Sequence, residues 1–161
     1  MDKVSEIVAE LQICYATEIE VIQNYLANAI DLEGSRAEPI KALFDDEVQT
    51  ALAHARRLAK RIKALDGRVP GSVELPRAHK GLPPPADPTN LDSALLSAVK
   101  MEDAAIAQYE RVIQLCDGHD FVTLDLVIEL LVDERERRQR LVALLAEGRA
   151  IHVVERQQED V

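Results

Sequence analysis

Residues 67–89 read GRVPGSVELPRAHKGLPPPADPT, and this stretch decides the fold. It is the only proline-rich segment of the chain, and its twenty-three residues show neither helical nor strand periodicity. At about 3.3 Å per residue, a connection of this length can run back along a helix of roughly 45 Å. The segment therefore predicts a crossover between the elements on either side of it, not a hairpin.

Four long periodic segments flank the crossover, two on each side, and each is followed by an acidic residue and a glycine. The four pairs are Glu33-Gly34, Asp66-Gly67, Asp117-Gly118 and Glu147-Gly148. Glycine tolerates the left-handed conformation that closes a helix, so each pair predicts a helix end. The predicted helices cover residues 2–33, 36–66, 91–117 and 120–147.

The connections between these helices predict the topology. The first and last pairs of helices are joined by very short turns, so the two helices of each pair must be antiparallel. Start signals agree, because Ser35 and Glu38 have capping-box spacing, Thr89 or Asn90 can cap the third helix, and Asp120 can cap the fourth. We predict an all-α, antiparallel four-helix bundle over residues 1–147, with a long crossover between helices 2 and 3. The tail, residues 148–161, contains one β-like piece, AIHVV, and is expected to dock on a neighbouring subunit or to be disordered.

Composition and charge narrow the range of functions. The chain has 161 residues, 47% hydrophobic and 30% charged, with no tryptophan and 3% aromatic residues, which favours a soluble helical domain. Its net charge of −10 argues against nucleic acid or an anionic membrane as a partner. Cys14 and Cys116 match no metal-binding spacing, and no signal peptide or transmembrane run is present, so we expect a cytoplasmic protein. His79, His119 and His152 are expected to be solvated.

One polar residue in each helix occupies a position that a seven-residue apolar ladder assigns to the bundle interior. These four residues are Glu18, His54, Glu102 and Glu134. A buried carboxylate costs several kcal/mol unless it is paired or binds a metal, so the pattern predicts a shared polar centre. The first and third helices also repeat E-x-x-x-I-x-x-Y at an offset of 84, which places Tyr25 and Tyr109 one heptad after the two glutamates.

Four stretches of the chain carry a resemblance to a known family. They are ATEIEVIQNYLANAI (16–30), HARRLAKRIKAL (54–65), EDAAIAQY (102–109) and LLVDERERRQRLVALL (130–145). Together they resemble the ferritin-like superfamily, and most of all its bacterioferritin branch, up to Glu147. The resemblance implies a dinuclear site with one Glu from each of two helices and a Glu-x-x-His pair from each of the others. On that pattern the residues at ligand positions are Glu18, His54, Glu102 and Glu134, and those at tyrosine positions are Tyr25 and Tyr109.

The chain departs from the family pattern at three places. Ala51 stands where the first pair has its glutamate, and Arg137 stands where the second pair has its histidine. Leu52 occupies the position of the haem-binding methionine, so no haem is expected. An intact dinuclear iron-oxidising site is therefore not predicted.

What remains of the ligand set predicts one metal position. Glu18, His54 and Glu134 would hold a single iron, manganese or zinc ion, with Glu102 as a further candidate ligand. Arg137 would fill the second position as a permanent cation. Glu47, one turn before Ala51, is a candidate replacement ligand.

The same residues also allow a metal-free interpretation. Arg137 could pair with Glu102 and Glu134, and His54 with Glu18, so that the polar layer is structural. Two function classes therefore stay open: an iron-handling metalloprotein, at most a weak ferroxidase, and a non-enzymatic assembly or partner-binding module. We expect a homo-oligomer, at least a dimer, and the sequence does not choose between a dimer and a 24-subunit shell.

Overall fold

The computed structural model describes residues 2–75 and 83–159, which form four helices with no strand among them. The helices are α1 (Lys3–Asp31), α2 (Ala37–Ala64), α3 (Leu91–Cys116) and α4 (Phe121–Glu159). Helix α1 packs against α2 and α3, and α4 packs mainly against α3. The predicted all-α bundle with a long connection between α2 and α3 is confirmed. Residues 76–82 of that connection, including His79, lie outside the described residues.

Short polar side chains and glycines fix most helix ends where the sequence predicted them. Asn90 accepts a hydrogen bond from the Ser93 amide at 3.0 Å and so caps α3. Asp120 accepts one from the Thr123 amide, also at 3.0 Å, at the start of α4. The capping box predicted at Ser35 does not form. The N-cap residue of α2 is Arg36, and no side-chain hydrogen bond caps the helix there.

Two of the four predicted glycine stops adopt the left-handed conformation. Gly34 has φ +122° and Gly118 has φ +71°, as a helix-ending glycine requires. At the second stop Asp66 takes the positive φ instead, and Gly67 is needed for a different reason. A Cβ atom on Gly67 would lie 2.7 Å from the side chain of Val8 on α1. There the glycine allows close packing between the end of α2 and α1.

The predicted stop at Gly148 is wrong, because α4 continues to Glu159. Gly148 is buried within the helix, and a side chain there would collide with the guanidinium of Arg36 and meet Asp92 Oδ1 at 3.0 Å. Its role is to leave room for Arg36. The stretch AIHVV (150–154) is helical and exposed, so its predicted β-like character is also wrong. The division into a bundle over 1–147 and a tail over 148–161, and the docking of that tail, stay predictions.

Along every helix, buried polar residues separate two apolar clusters of the core. One cluster includes Val21 of α1 and Phe44 of α2, and the other includes Leu11 of α1 and Leu58 of α2. The polar layer therefore lies near the middle of the bundle and is covered by apolar side chains along the bundle axis. Among the described residues, no helix is long and apolar enough to cross a membrane.

Candidate metal centre

The sequence-predicted polar residues meet in this layer, and all of them are buried. The six residues are Glu18, Glu47, His54, Glu102, Glu134 and Arg137, and none is more than 3% exposed. The prediction that the heptad ladders turn Glu18, His54, Glu102 and Glu134 inward is confirmed. They form two adjacent groups, one around His54 and one around Arg137.

The first group joins three helices at the imidazole of His54. Its Nδ1 atom lies 2.9 Å from Glu134 Oε1 and 3.4 Å from Glu18 Oε1. The Glu134 contact has the distance of an ion pair without the alignment of a hydrogen bond, so Glu134 Oε1 has no hydrogen-bond partner. Glu18 Oε2 is likewise buried without one. One ligand atom from each of the three residues lies within 4.8 Å of the others, which is a geometry that can hold a metal ion.

A residue that the sequence analysis missed holds the other side of the imidazole. His54 Nε2 lies 2.9 Å from Oδ2 of Asp133, whose side chain is 48% exposed. An imidazole that donates its Nε2 proton to a carboxylate presents the Nδ1 lone pair to the opposite side, and metal-binding histidines commonly have such an outer partner. Asp133 therefore orients the face of His54 that points at Glu18 and Glu134.

The protonation of His54 reflects its carboxylate neighbours. Burial alone would lower the pKa of His54, but contacts with Glu134 and Glu18 outweigh burial and raise that pKa to about 10. Without a metal, His54 is thus a cation at neutral pH. A metal ion at Nδ1 would have to displace this proton.

The second group surrounds Arg137, which faces the bundle interior as predicted. Its Nε donates to Glu47 Oε2 at 2.5 Å, and its Nη1 lies 3.3 Å from Glu102 Oε1 and 3.1 Å from Glu134 Oε2. Its Nη2 has no hydrogen-bond partner. Burial opposes the charge on this group, but Glu102 and Glu134 outweigh burial and raise the pKa of Arg137 above its usual value. Arg137 is therefore a permanent cation among three buried carboxylates.

The carboxylate of Glu47 accepts hydrogen bonds from two arginines. Its Oε2 accepts from Arg137, and its Oε1 accepts from Nη2 of Arg140 at 2.5 Å. The Arg140 side chain is 55% exposed, so it reaches from the surface to the edge of the centre. Glu47 was a candidate replacement ligand, and the structure places its carboxylate with the arginines rather than beside His54.

Each of the two tyrosines donates a hydrogen bond to the glutamate on the other helix of the internal repeat. Tyr109 of α3 donates to Glu18 Oε1 of α1 at 2.5 Å, and Tyr25 of α1 donates to Glu102 of α3. Burial, together with the neighbouring carboxylates, raises the pKa of both hydroxyls, which keeps them protonated as donors. Burial also raises the pKa of Glu102, against the opposing effect of Arg137. Each tyrosine thus fixes the glutamate of the other helix.

Residues 8–151 match the family model of the ferritin-like domain. The chain belongs to the ferritin-like family. Its fold is similar to that of the dodecameric thioferritin, a bacterioferritin-related protein, of Bacteroides fragilis, with 24% identity, a TM-score of 0.83, and 99% of this chain and 92% of that chain covered. It is also similar to a ferritin-like, diiron-carboxylate protein from Bacillus anthracis, with 23% identity, a TM-score of 0.77, and 90% of this chain and 99% of that chain covered. No curated protein matches the chain.

The buried charges of this ferritin-like centre do not cancel when all of its glutamates are ionised. When ionised, the four buried glutamates carry four negative charges, and the guanidinium groups of Arg137 and Arg140 carry two positive charges. The remaining two negative charges equal one divalent cation. Leaving out Glu47 and Arg140 does not change this remainder, because the charges of those two residues cancel.

Asp133 and Arg140, which were not predicted from the sequence, lie at the edge of the buried polar layer. Asp133 directly precedes Glu134, and Arg140 follows Arg137 by three residues. A heptad ladder assigns such half-exposed positions to the solvent-facing side. The i,i+3 spacing from Arg137 was the available signal for Arg140, since residues three apart share a helix face.

Proposed function

We infer that this chain is a ferritin-like metal-binding protein that holds one divalent cation at Glu18, His54 and Glu134. The observation that carries this proposal is the buried set of three ligand atoms from three helices, all within 4.8 Å of one another. Two of its carboxylate oxygens, one on Glu18 and one on Glu134, have no hydrogen-bond partner. A buried acceptor without a donor is costly, and a divalent cation in place of the Nδ1 proton of His54 would satisfy both oxygens.

The donor chemistry fits an ion of the iron, manganese or zinc class. Carboxylate oxygens with one imidazole nitrogen suit all three ions and do not select one of them. Asp133 orients the imidazole, Tyr109 holds Glu18, and the apolar clusters on either side exclude water. The similar fold of a diiron-carboxylate protein supports iron as the bound cargo or substrate.

Oxidation of ferrous iron by this centre is expected to be weak or absent. Dinuclear centres act through two ions held side by side. Here Ala51 offers no carboxylate between the two positions, and the guanidinium of Arg137 lies among the carboxylates of the second position. The chain's own residues thus bind and shield one ion without holding a partner ion beside it.

We propose that the protein forms a homo-oligomer and resides in a reducing compartment such as the cytoplasm. The fold similarity to a dodecameric ferritin-like protein supports assembly. Two buried free cysteines, Cys14 and Cys116, suit a compartment in which thiols stay reduced.

A second candidate function is a metal-free helical assembly or partner-binding module. One observation favours it: Nδ1 of His54 lies 2.9 Å from Glu134 Oε1 and 3.4 Å from Glu18 Oε1. These carboxylates raise the pKa of His54 to about 10, so protonated His54 can itself be the cation between them at neutral pH. The centre would then carry nearly balanced charge without any metal, as a structural salt-bridge cluster.

Elemental analysis separates the two candidates. The chain is purified without chelator, loaded anaerobically with ferrous iron, and dialysed. We expect about one iron per chain for the native sequence and a large loss for His54→Ala, because that variant lacks the only nitrogen ligand of the set. No iron in either protein would favour the structural module. Two irons per chain with rapid, saturable aerobic oxidation would contradict the proposed weak activity.

A further inference from the structure

Helix α4 carries a second heptad pattern on the side that faces away from the bundle. We call this side the outer α4 face. It consists of two seven-residue ladders, Phe121, Ile128, Arg135, Val142 and Arg149 in one, and Asp125, Val132, Gln139, Ala146 and Val153 in the other. All ten residues are exposed and six of them are apolar, with Phe121 69% and Val132 51% exposed. Apolar residues at this spacing are the pattern by which one helix packs along another.

No other helix of the described chain covers this face. The opposite side of α4 already packs in the core, where Val127, Leu130 and Leu141 are fully buried. A helix that is apolar on both sides is expected to be covered on both sides, and an extended apolar strip on a surface marks an interaction site. The strip runs from Phe121 to Val153, about 48 Å at 1.5 Å per residue.

The exposed charges of α4 differ between its two halves. Residues 121–133 contain three carboxylates, on Asp125, Glu129 and Asp133, and no lysine or arginine. Residues 135–149 carry four arginines and two glutamates outside the core: Arg135, Arg138, Arg140, Arg149, Glu136 and Glu147. A partner helix that complements these charges is basic opposite the first half and acidic opposite the second. A second α4 running in the opposite direction has this charge distribution.

We propose that the outer α4 face binds the α4 helix of a second copy of this chain in an antiparallel, two-fold symmetric pair. The two-fold axis passes midway between the levels of Arg135 and Gln139. This inference assigns a surface to the proposed homo-oligomer, and it does not depend on the metal centre.

One register of the two helices matches the apolar residues of both ladders. It places Val132 opposite Val142 of the second copy. Because the helices run in opposite directions, each residue of one ladder then faces a residue of the other ladder. The remaining apolar residues pair as Ile128 with Ala146 and Phe121 with Val153.

The same register also pairs the polar residues of the face. Asp125 faces Arg149, which are opposite charges, and Arg135 faces Gln139 beside the axis. Arg135 keeps the ion pair with Glu110 of its own chain, at 2.8 Å. The polar layers thus contain no unpaired charge.

Other registers are disfavoured by the arginines. A shift of the second copy by seven residues places Arg149 or Arg135, depending on its direction, opposite Val132. A charge that is buried against an apolar side chain is costly, so the polar residues specify the register.

Disulfide cross-linking tests the pairing. The variant Val132→Cys with Val142→Cys places facing thiols at two symmetric levels, so oxidation of the folded protein with diamide is expected to yield a covalent dimer. The two thiols of one chain lie about 15 Å apart along the helix and cannot bond to each other. Each single variant is expected to give little dimer, because its two thiols would be separated by the same distance along the pair.

The native chain serves as the background control, since Cys14 and Cys116 are buried. A double variant that stays monomeric on a denaturing gel would overturn the proposal. Single variants that cross-link as well as the double variant would also overturn it.

A charge exchange tests the register. Added to the double-cysteine variant, Asp125→Arg places like charges opposite each other at both copies of the Arg149 layer, and we expect cross-linking to slow roughly tenfold. The further change Arg149→Asp is expected to restore the rate. Asp45→Arg makes the same charge change on an exposed site of α2 and is expected to have no effect. Failure of Arg149→Asp to restore cross-linking would overturn the register.

The pairing and the metal centre are tested separately by His54→Ala. That substitution removes a metal ligand and leaves the outer α4 face unchanged, so the double-cysteine variant is expected to cross-link equally with and without it. Loss of iron in His54→Ala tests the proposed function, whereas loss of the cross-link in that variant would contradict the independence of the two sites.

Discussion

Single residues decide how this centre differs from a two-metal site. Arg137 supplies a fixed positive charge among Glu47, Glu102 and Glu134, and Ala51 supplies no carboxylate. The inward direction of Arg137 could be predicted from the sequence, because it follows Glu134 by three residues on the same helix face. Asp133 could not, because its half-exposed position looks like ordinary surface until the imidazole of His54 is seen beside it.

A first prediction belongs to Asp133. Asp133→Ala leaves the Nε2 proton of His54 without its acceptor, so the imidazole is less firmly oriented toward the ion. Loss of such outer partners typically weakens metal affinity by about 10-fold to 100-fold, and we expect a loss of at least about 10-fold in Zn²⁺ affinity.

The measurement for Asp133→Ala is competition with a chromophoric chelator at fixed pH. Glu136→Ala is the matched control, because it removes an exposed carboxylate of the same helix at a site away from the His54 group. Equal Zn²⁺ affinity for Asp133→Ala and the native chain would show that Asp133 does not orient the ligand.

At the scale of helices, the sequence predicts starts better than ends. Asn90 and Asp120 cap their helices as expected, since a cap depends on a local side chain and its nearest amides. The end of α4 was misplaced because Gly148 serves packing against Arg36, a contact from a distant part of the chain. The β-branched residues of AIHVV likewise adopt the helical conformation of α4, because structural context overrides their weak local preference for a strand.

A second prediction concerns the α3–α4 turn and its dependence on pH. Burial would raise the pKa of Asp120, but hydrogen bonds from Thr123 and the ion pair with Arg61 outweigh burial and lower that pKa below the ordinary value of 3.8. Because the folded pKa is depressed, the stabilisation is fully present above about pH 3.8 and is lost as the pH falls through the folded pKa.

The substitution Asp120→Asn keeps the cap and removes the charge. We expect it to lower the free energy of unfolding by about 1 kcal/mol at pH 6 and by clearly less at pH 3. Urea midpoints at both pH values check this, with the exposed neighbour Asp117→Asn as the control. A difference between Asp120→Asn and the native chain that stays constant from pH 6 to pH 3 would rule out the ion pair as its source.

For the whole molecule, the topology can be predicted from the lengths of the helices and of their connections, but the function cannot. The short turns and the long connection predict the antiparallel bundle, because only a few ways of joining four helices of these lengths exist. The polar layer was also predictable, since four heptad ladders place one polar residue each at the same level. The contact between Glu47 and Arg140 was not, because it depends on distances between side chains of different helices, which heptad periodicity does not specify.

We propose that the centre holds one divalent ion, beside a guanidinium that occupies the second position. The most direct test is an anomalous difference map from crystals soaked in Mn²⁺ and measured near the manganese absorption edge. We expect one peak per chain, bounded by Glu18, His54 and Glu134, with Arg137 still in contact with Glu47. Two peaks per chain, or no peak at a saturating Mn²⁺ concentration, would contradict it.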